Sequence, residues 1–256
     1  MRAPGKTNRD MTWLKARPIA HRGLHDEAAG IGENTLSAFR RAIDAGLPFE
    51  LDLRLSKDGE AVVFHDEALD RLTAESGPVR HRTAEQLRKI KIKGTDDHIP
   101  TLSEVLAMTA GRVPVLIEIK APTRKVGRLE ARVAEILRGY DGAFAVQSFN
   151  PLVVDWFKTN EPDMIRGLLS GGYKATGPFK VRARVKFTLR HMLCAPMIRP
   201  HFIAYEVDAL PAIAPRVAQW FGLPLLAWTV ASEQQRKIGA EHADNIIFEG
   251  FAPGAV

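Results

Sequence analysis

Phe49-Glu50-Leu51-Asp52-Leu53-Arg54-Leu55 alternates apolar and charged side chains along its whole length. Strict alternation is the pattern of a β-strand, which puts Glu50, Asp52 and Arg54 on one face and Leu51, Leu53 and Leu55 on the other. The leucine face suits packing against helices. A face with two carboxylates and a guanidinium is costly to bury unless its charges are paired or hold a cation. The competing arrangement is a half-exposed antiparallel strand with its polar side in water. A second strand tips the balance. In Val115-Leu116-Ile117-Glu118-Ile119-Lys120, Glu118 and Lys120 share a face of an otherwise apolar run. A run that apolar is expected where a strand is covered on both sides, so Glu118 is not a solvated surface charge.

Around these two stretches the chain alternates strand and helix. Pro18 to Ala20 is a short apolar strand ending in His21-Arg22-Gly23. Asn34 or Thr35 caps a helix that stops at Gly46, and Ala61 to Phe64 return as a hairpin partner ending at His65-Asp66. Residues 66–100 are an irregular insertion with one helix opened by the capping box Thr83-x-x-Gln86, and Thr101-x-x-Glu104 opens another. Further strands are expected at Phe144–Gln147, Ile165–Leu169, Phe202–Tyr205, Leu223–Trp228 and Asn245–Phe248, with helices between them. About eight such alternations with short connections predict parallel α/β architecture. The first choice is a TIM (β/α)8 barrel with a small insertion after the second strand. A doubly wound open sheet is second, because no G-x-G-x-x-G follows any strand.

The chain of 256 residues, 45% hydrophobic and 26% charged, can bury one large core. The expected organisation is a disordered tail over residues 1–16 and a single domain over 17–256. No apolar run is long enough to cross a bilayer, and Met1 to Asp10 lacks the apolar core of a signal peptide. The one cysteine, Cys194, excludes an internal disulfide and fits a cytoplasmic location.

In a barrel, reacting groups sit at the C-terminal ends of strands. His21, Glu50, Asp52, His65, Glu118, Lys120, Gln147 and Trp228 all fall at or near such ends. Glu50, Asp52 and Glu118 offer hard oxygen ligands, which suit Mg2+ or Ca2+, with Mn2+ as a further candidate and zinc disfavoured. Such a cation with Arg22 and Lys120 beside it makes a site for a phosphate group. Two histidines flanking it can exchange protons at neutral pH. The combination points to metal-assisted cleavage of a phosphoester.

These residues also form a pattern that resembles the glycerophosphodiester phosphodiesterase family, among the phosphatidylinositol-specific phospholipase C-like barrel phosphodiesterases. The pattern comprises His21-Arg22-Gly23, Glu33-Asn34-Thr35, Glu50-x-Asp52, Lys57-Asp58-Gly59, Val62-Val63-x-His65-Asp66, Leu69-x-Arg71-x-Thr73, Glu118-x-Lys120, Gln147-Ser148-Phe149 and Ala227-Trp228-Thr229-Val230. The resemblance implies a TIM barrel that hydrolyses glycerophosphodiesters to glycerol 3-phosphate and an alcohol. It implies Glu50, Asp52 and Glu118 as metal ligands and His21 and His65 as the acid–base pair. By the same resemblance Arg22 and Lys120 hold the phosphate and Trp228 lines the glycerol pocket. The chain departs from the family at its last strand, where Phe248-Glu249 stands in place of a Thr-Asp pair. His25, just after the first motif, is expected to be an exposed loop residue. Two alternatives stay open: a membrane-surface phospholipase D-type enzyme on the same barrel, and a barrel that binds phosphodiesters without cleaving them.

The net charge of +6 is concentrated. No Asp or Glu occurs from Met164 to Tyr205, while eight Lys and Arg do, and the rest of the chain carries 28 basic against 30 acidic residues. This basic excursion, residues 173–200, lies between the fifth and sixth strands. The alternation from Phe179 to Leu189 favours a strand, and a helix from Ala183 to Leu193 is the alternative. The first reading of the charge is a solvated barrel edge. The second is weak association with anionic membranes, which would place the protein peripherally at the inner membrane face. Nucleic acid comes third, because no aromatic-interleaved basic module is present. The sequence leaves oligomeric state open.

Overall fold

The leucine face of the opening stretch does pack under helices. In a computed structural model describing residues 10–121, 125–173 and 183–251, Leu51 and Leu53 are fully buried in one cluster with Phe39, Val105, Val133 and Phe157. Removing a side chain of this size from water contributes about 1.5–3 kcal/mol. The same pattern repeats around a sheet whose strands are β1 (Ile19–Ala20), β2 (Phe49–Leu55), β3 (Ala61–Val63), β4 (Val115–Ile119) and β5 (Phe144–Ser148), followed by β6 (Arg166–Ser170), β7 (Phe202–Glu206), β8 (Leu225–Val230) and β9 (Asn245–Phe248). Their order is β1-β9-β8-β7-β6-β5-β4-β2-β3, and an additional parallel pairing of Ala20 with Phe49 closes the sheet. Eight strands are parallel, and β3 is antiparallel to the outer end of β2. This is the expected TIM (β/α)8 barrel.

Side chains of the opposite strand face fill the barrel. Ile19, Leu116, Ala145, Phe202, Leu226 and Ile247 form a second buried cluster. Trp13 and Leu14 belong to it and plug the end from which the strands start. The expectation of a disordered tail over residues 1–16 is corrected here. Trp13–Ala16 is a helix, and Asn245 Nδ2 donates to Leu14 O and Arg17 O at 2.8 and 2.7 Å. The apolar Trp-Leu pair ties the segment down, and residues 1–9 lie outside the described residues.

Predicted caps appear where the sequence puts them. Thr35 caps the helix Leu36–Asp44, Thr83 and Thr101 each form a complete capping box, and Asn150 caps a helix with proline in its first turn. After β3, residues 66–100 pack Leu69, Val79, Leu87 and Ile92 into a small cluster against Val62 and Phe64. In the basic excursion residues 174–182 lie outside the described residues. Ala183–Arg190 is an α-helix, which corrects the strand reading over this part. The ring of eight parallel strands closes on itself, and among the described residues β3 is the one strand of the sheet outside it, with Val62 bridged to Thr101 on its outer side.

Candidate active site

Parallel pairing of β2 with β4 sets Asp52 opposite Glu118, and Glu118 is in turn opposite Gln147 on β5. The three carboxylates Glu50, Asp52 and Glu118 point into the barrel above its apolar filling. Each offers an oxygen within 4.8 Å of the others, and all three are buried. Three anions so close repel strongly in a poorly solvated place. Two cations offset them. Lys120 Nζ lies 2.9 Å from Asp52 Oδ1 and 2.5 Å from Glu118 Oε1. Arg22 Nε lies 3.3 Å from Asp52 Oδ2, and its Nη1 donates to Glu33 Oε1 at 2.8 Å.

The loop after β1 is shaped for this contact. Arg22 and Gly23 have φ of +53° and +82°, and the turned backbone aims Arg22 N at Glu50 Oε2, 3.0 Å away. Gly23 admits no side chain, since a Cβ there would lie 2.8 Å from Ala38 Cβ. Asn34, also at positive φ (+57°), clamps Asp52 twice. Its Nδ2 donates to Asp52 Oδ2 at 2.8 Å, and its Oδ1 accepts from Asp52 N at 3.1 Å.

The electrostatic result is uneven. Burial pushes the Asp52 carboxyl up, but Lys120 and Arg22 outweigh it and hold Asp52 far below the usual range. Burial raises Glu50 well above its ordinary value, and the neighbouring charges of Asp52 and Glu118 add to the effect. Burial likewise raises Glu118. Glu50 Oε1 is buried without a hydrogen-bond partner. An orphaned carboxylate oxygen beside two others, with no sulfur or nitrogen donor among the three, fits a hard divalent cation.

Both histidines have a carboxylate partner. His21 Nδ1 is 2.6 Å from Glu249 Oε2, and His65 Nδ1 is 2.6 Å from Asp66 Oδ1. The hydrogen bond from His21, with His25 nearby, depresses the Glu249 carboxyl, and Arg71 and His65 overcome burial to hold Asp66 at about 2. The carboxylates are therefore ionised, the proton of each short contact sits on Nδ1, and each Nε2 is left to accept or deliver one. Burial lowers the pKa of both imidazoles. The charge of Asp52 acts on both rings and raises their pKa against the effect of burial. Trp228 packs edge-on against Phe149 with ring centroids 5.2 Å apart, close to the apolar filling.

All eight sequence-predicted residues thus lie on the inner face or the upper ends of the strands. Besides Asn34 and Asp66, four others complete the site. Glu33 receives Arg71 at 2.8 and 3.0 Å as well as Arg22, and Arg71 also holds Asp66 through Nε at 2.6 Å. Glu249, expected only as a departure from the family pattern, is the partner of His21. His25 is not an exposed loop residue. Its Nε2 lies 3.7 Å from Glu249 Oε2 and its side chain is only 17% exposed.

A closed parallel barrel that gathers three carboxylates, two histidines and two cations at one end is an α/β-barrel enzyme. Residues 21–246 match the profile of the glycerophosphoryl diester phosphodiesterase family. The chain belongs to that family of phosphoric diester hydrolases. The glycerophosphodiester phosphodiesterase of Caldanaerobacter subterraneus subsp. tengcongensis is 34% identical over 166 residues, covering 61% of this chain and 67% of that protein. Glycerophosphodiester phosphodiesterase 1 of Bos taurus is 30% identical over 270 residues, covering 93% and 80%. An Oleispira antarctica phosphodiesterase in complex with the product sn-glycerol-3-phosphate shares the fold with a TM-score of 0.73 at 21% identity, over 92% of this chain and 93% of that one. The glycerophosphodiester phosphodiesterase of Thermotoga maritima gives 0.69 at 26% identity, over 90% and 92%.

Proposed function

We propose that the protein hydrolyses glycerophosphodiesters to glycerol 3-phosphate and an alcohol, using a divalent cation and the pair His21 and His65. The observation that carries this reading is the trio of buried carboxylates, Glu50, Asp52 and Glu118, each with an oxygen within 4.8 Å of the others, at the same end of the barrel as two imidazoles that are each anchored through Nδ1 by a carboxylate of their own. A Mg2+ or Ca2+ ion held by Glu50, Asp52 and Glu118 would polarise the phosphoryl oxygens and offset the charge that gathers on them. His21 Nε2 takes the proton of the glycerol 2-hydroxyl as that oxygen attacks phosphorus. The bond to the head-group oxygen breaks, and His65 Nε2–H protonates the departing alcohol. Water then opens the cyclic phosphate with the two roles reversed, leaving glycerol 3-phosphate. Arg22 and Lys120 turn toward the phosphate as it enters, and Trp228 with Phe149 offers an apolar wall to the glycerol carbons. The product bound to the Oleispira antarctica phosphodiesterase supports this choice of substrate.

Release of glycerol 3-phosphate from glycerophosphocholine and glycerophosphoethanolamine tests it. Activity is expected to vanish with EDTA and to return with Mg2+ or Ca2+. Turnover of these substrates that ignores EDTA would remove the cation from the mechanism, and no turnover by folded, metal-loaded protein would remove the substrate class.

A further inference from the structure

We propose that the flank of the barrel outside β6, β7 and β8 is a docking face for an anionic lipid bilayer. The first observation is apolar. Among the described residues, eight of the nine exposed large hydrophobic side chains fall between Val185 and Phe221. Trp220 and Phe221 are 85% and 76% exposed, Ile213 is 81% and Met197 74%. Phe187, Leu193, Ile213 and Phe221 line a groove of about 850 Å³ between the segment 183–199 and the helix Ile213–Trp220, and Met197 and Trp220 belong to the same two segments. Exposed apolar surface gathered in this way marks an interaction site rather than ordinary scatter.

The second observation is charge, and it selects the occupant. From Met164 to Ser232 the chain has two acidic residues, Glu206 and Asp208, and both are engaged. Glu206 accepts from Gly172 N at 2.7 Å and Asp208 from Gln235 Nε2 at 3.0 Å. Arg199 lines the groove, and Arg184, Arg190 and Arg216 are exposed on the two helices that flank it. A two-fold dimer would press this face against its own copy and set arginine against arginine. A bilayer of anionic lipid instead meets the arginines with phosphates and takes the aromatic and aliphatic side chains into the head-group boundary. Tryptophan and phenylalanine beside arginine are the residues that such a boundary favours.

The face is tied to the catalytic end of the barrel. Ser170, the last residue of β6, donates through Oγ to Leu189 O at 2.7 Å, and Tyr205 Oη donates to Arg190 O at 3.1 Å. Docking there would hold the mouth of the barrel beside the membrane whatever substrate it takes, so the inference does not depend on the proposed reaction.

The test is sedimentation of the full chain with vesicles of phosphatidylcholine alone and with phosphatidylglycerol added, across a salt series. Binding is expected only to the anionic vesicles and to weaken as salt rises. Replacing Arg184, Arg190 and Arg199 with Gln should lower partitioning roughly a hundredfold, at about fivefold for each charge. Trp220→Ser with Phe221→Ser should weaken binding at high salt as well as low, because the apolar contribution is not screened. Hydrolysis of a soluble diester should be unchanged in all these variants. Equal binding to both vesicle types, or arginine variants that bind as the parent does, would overturn the proposal. So would a lipid-free dimer that the Trp220→Ser, Phe221→Ser variant dissociates, since that would give the face to a second copy.

Discussion

Asp52 and Glu118 face each other across the β2–β4 ladder, and a single ammonium, Lys120 Nζ, reaches both. The contact holds the two carboxylates together, while Arg22 Nε reaches Asp52 alone at 3.3 Å. Glu118→Gln therefore has a double consequence: it removes a candidate ligand and loosens the ammonium that restrains Asp52. Divalent-cation affinity, read by calorimetry, should fall by at least about tenfold. An unchanged affinity would take Glu118 out of the ligand set.

Asp52→Asn should be costly for stability as well as for rate. It keeps the shape but leaves Arg22 and Lys120 near a weaker acceptor in a buried place. Removing one partner of a buried charge pair destabilises by about 3–5 kcal/mol. Chemical denaturation of the metal-free protein would show the loss as a lower midpoint at constant slope. A variant as stable as the parent would mean that water compensates both cations.

His21→Ala and His65→Ala should each slow glycerophosphodiester turnover by roughly a hundred- to ten-thousand-fold if both move protons. Glu249→Gln keeps a hydrogen-bonding oxygen but removes the charge that fixes the His21 tautomer. Its rate loss should lie between about tenfold and the roughly 10⁴-fold cost of losing a triad carboxylate. The decline should fall on kcat rather than KM. A pure KM effect would make Glu249 a substrate contact instead of a support for His21.

Burial holds the pKa of His21 and His65 below the ordinary imidazole value. The unfolded chain therefore binds protons that the folded chain refuses. Stability is fully present above the unfolded value of about 6.5 and is lost as pH falls through the lower folded values. Glu50 and Glu118, raised by burial, act in the opposite direction, so the histidine contribution is read as a difference: between pH 7 and 5 the metal-free parent should lose melting temperature relative to His65→Asn. A parent that gains on the variant over the same range would reverse the sign assigned to His65.

Gly23→Ala should destabilise by about 1–3 kcal/mol, since the new Cβ meets Ala38 at a backbone angle that alanine avoids. At about 2–4 °C for each kcal/mol in a protein of this size, a thermal melt resolves it. The turn also aims Arg22 N at Glu50, so cation binding should weaken in parallel.

The barrel was legible because alternation in Phe49–Leu55 separates a helix-packing face from a charged one, and the capping residues mark where helices begin. The acidic centre was legible for the same reason, with Glu118 conspicuous in an apolar run. Supporting contacts were harder to see. Glu33 and Arg71 fall in two separate motifs 38 positions apart, and nothing in either motif shows that they pair. Trp13 and Leu14 were hidden by the polar stretch before them, although an adjacent Trp-Leu pair is a poor candidate for a solvated tail. The strand reading around Phe179–Leu189 followed a two-residue period that a helix with mixed faces also produces. His25 looked like an ordinary loop histidine because its neighbour Glu249 comes from the other end of the chain.

That last separation has a consequence for synthesis. His21 receives its backbone partner from Phe248 and its carboxylate from Glu249, 228 residues later, while β9 supplies the neighbour that closes β1 into the ring. His21 therefore has neither of these partners until β9 has been made and has docked beside β1, so any proton transfer that relies on the His21–Glu249 pair must wait for that strand.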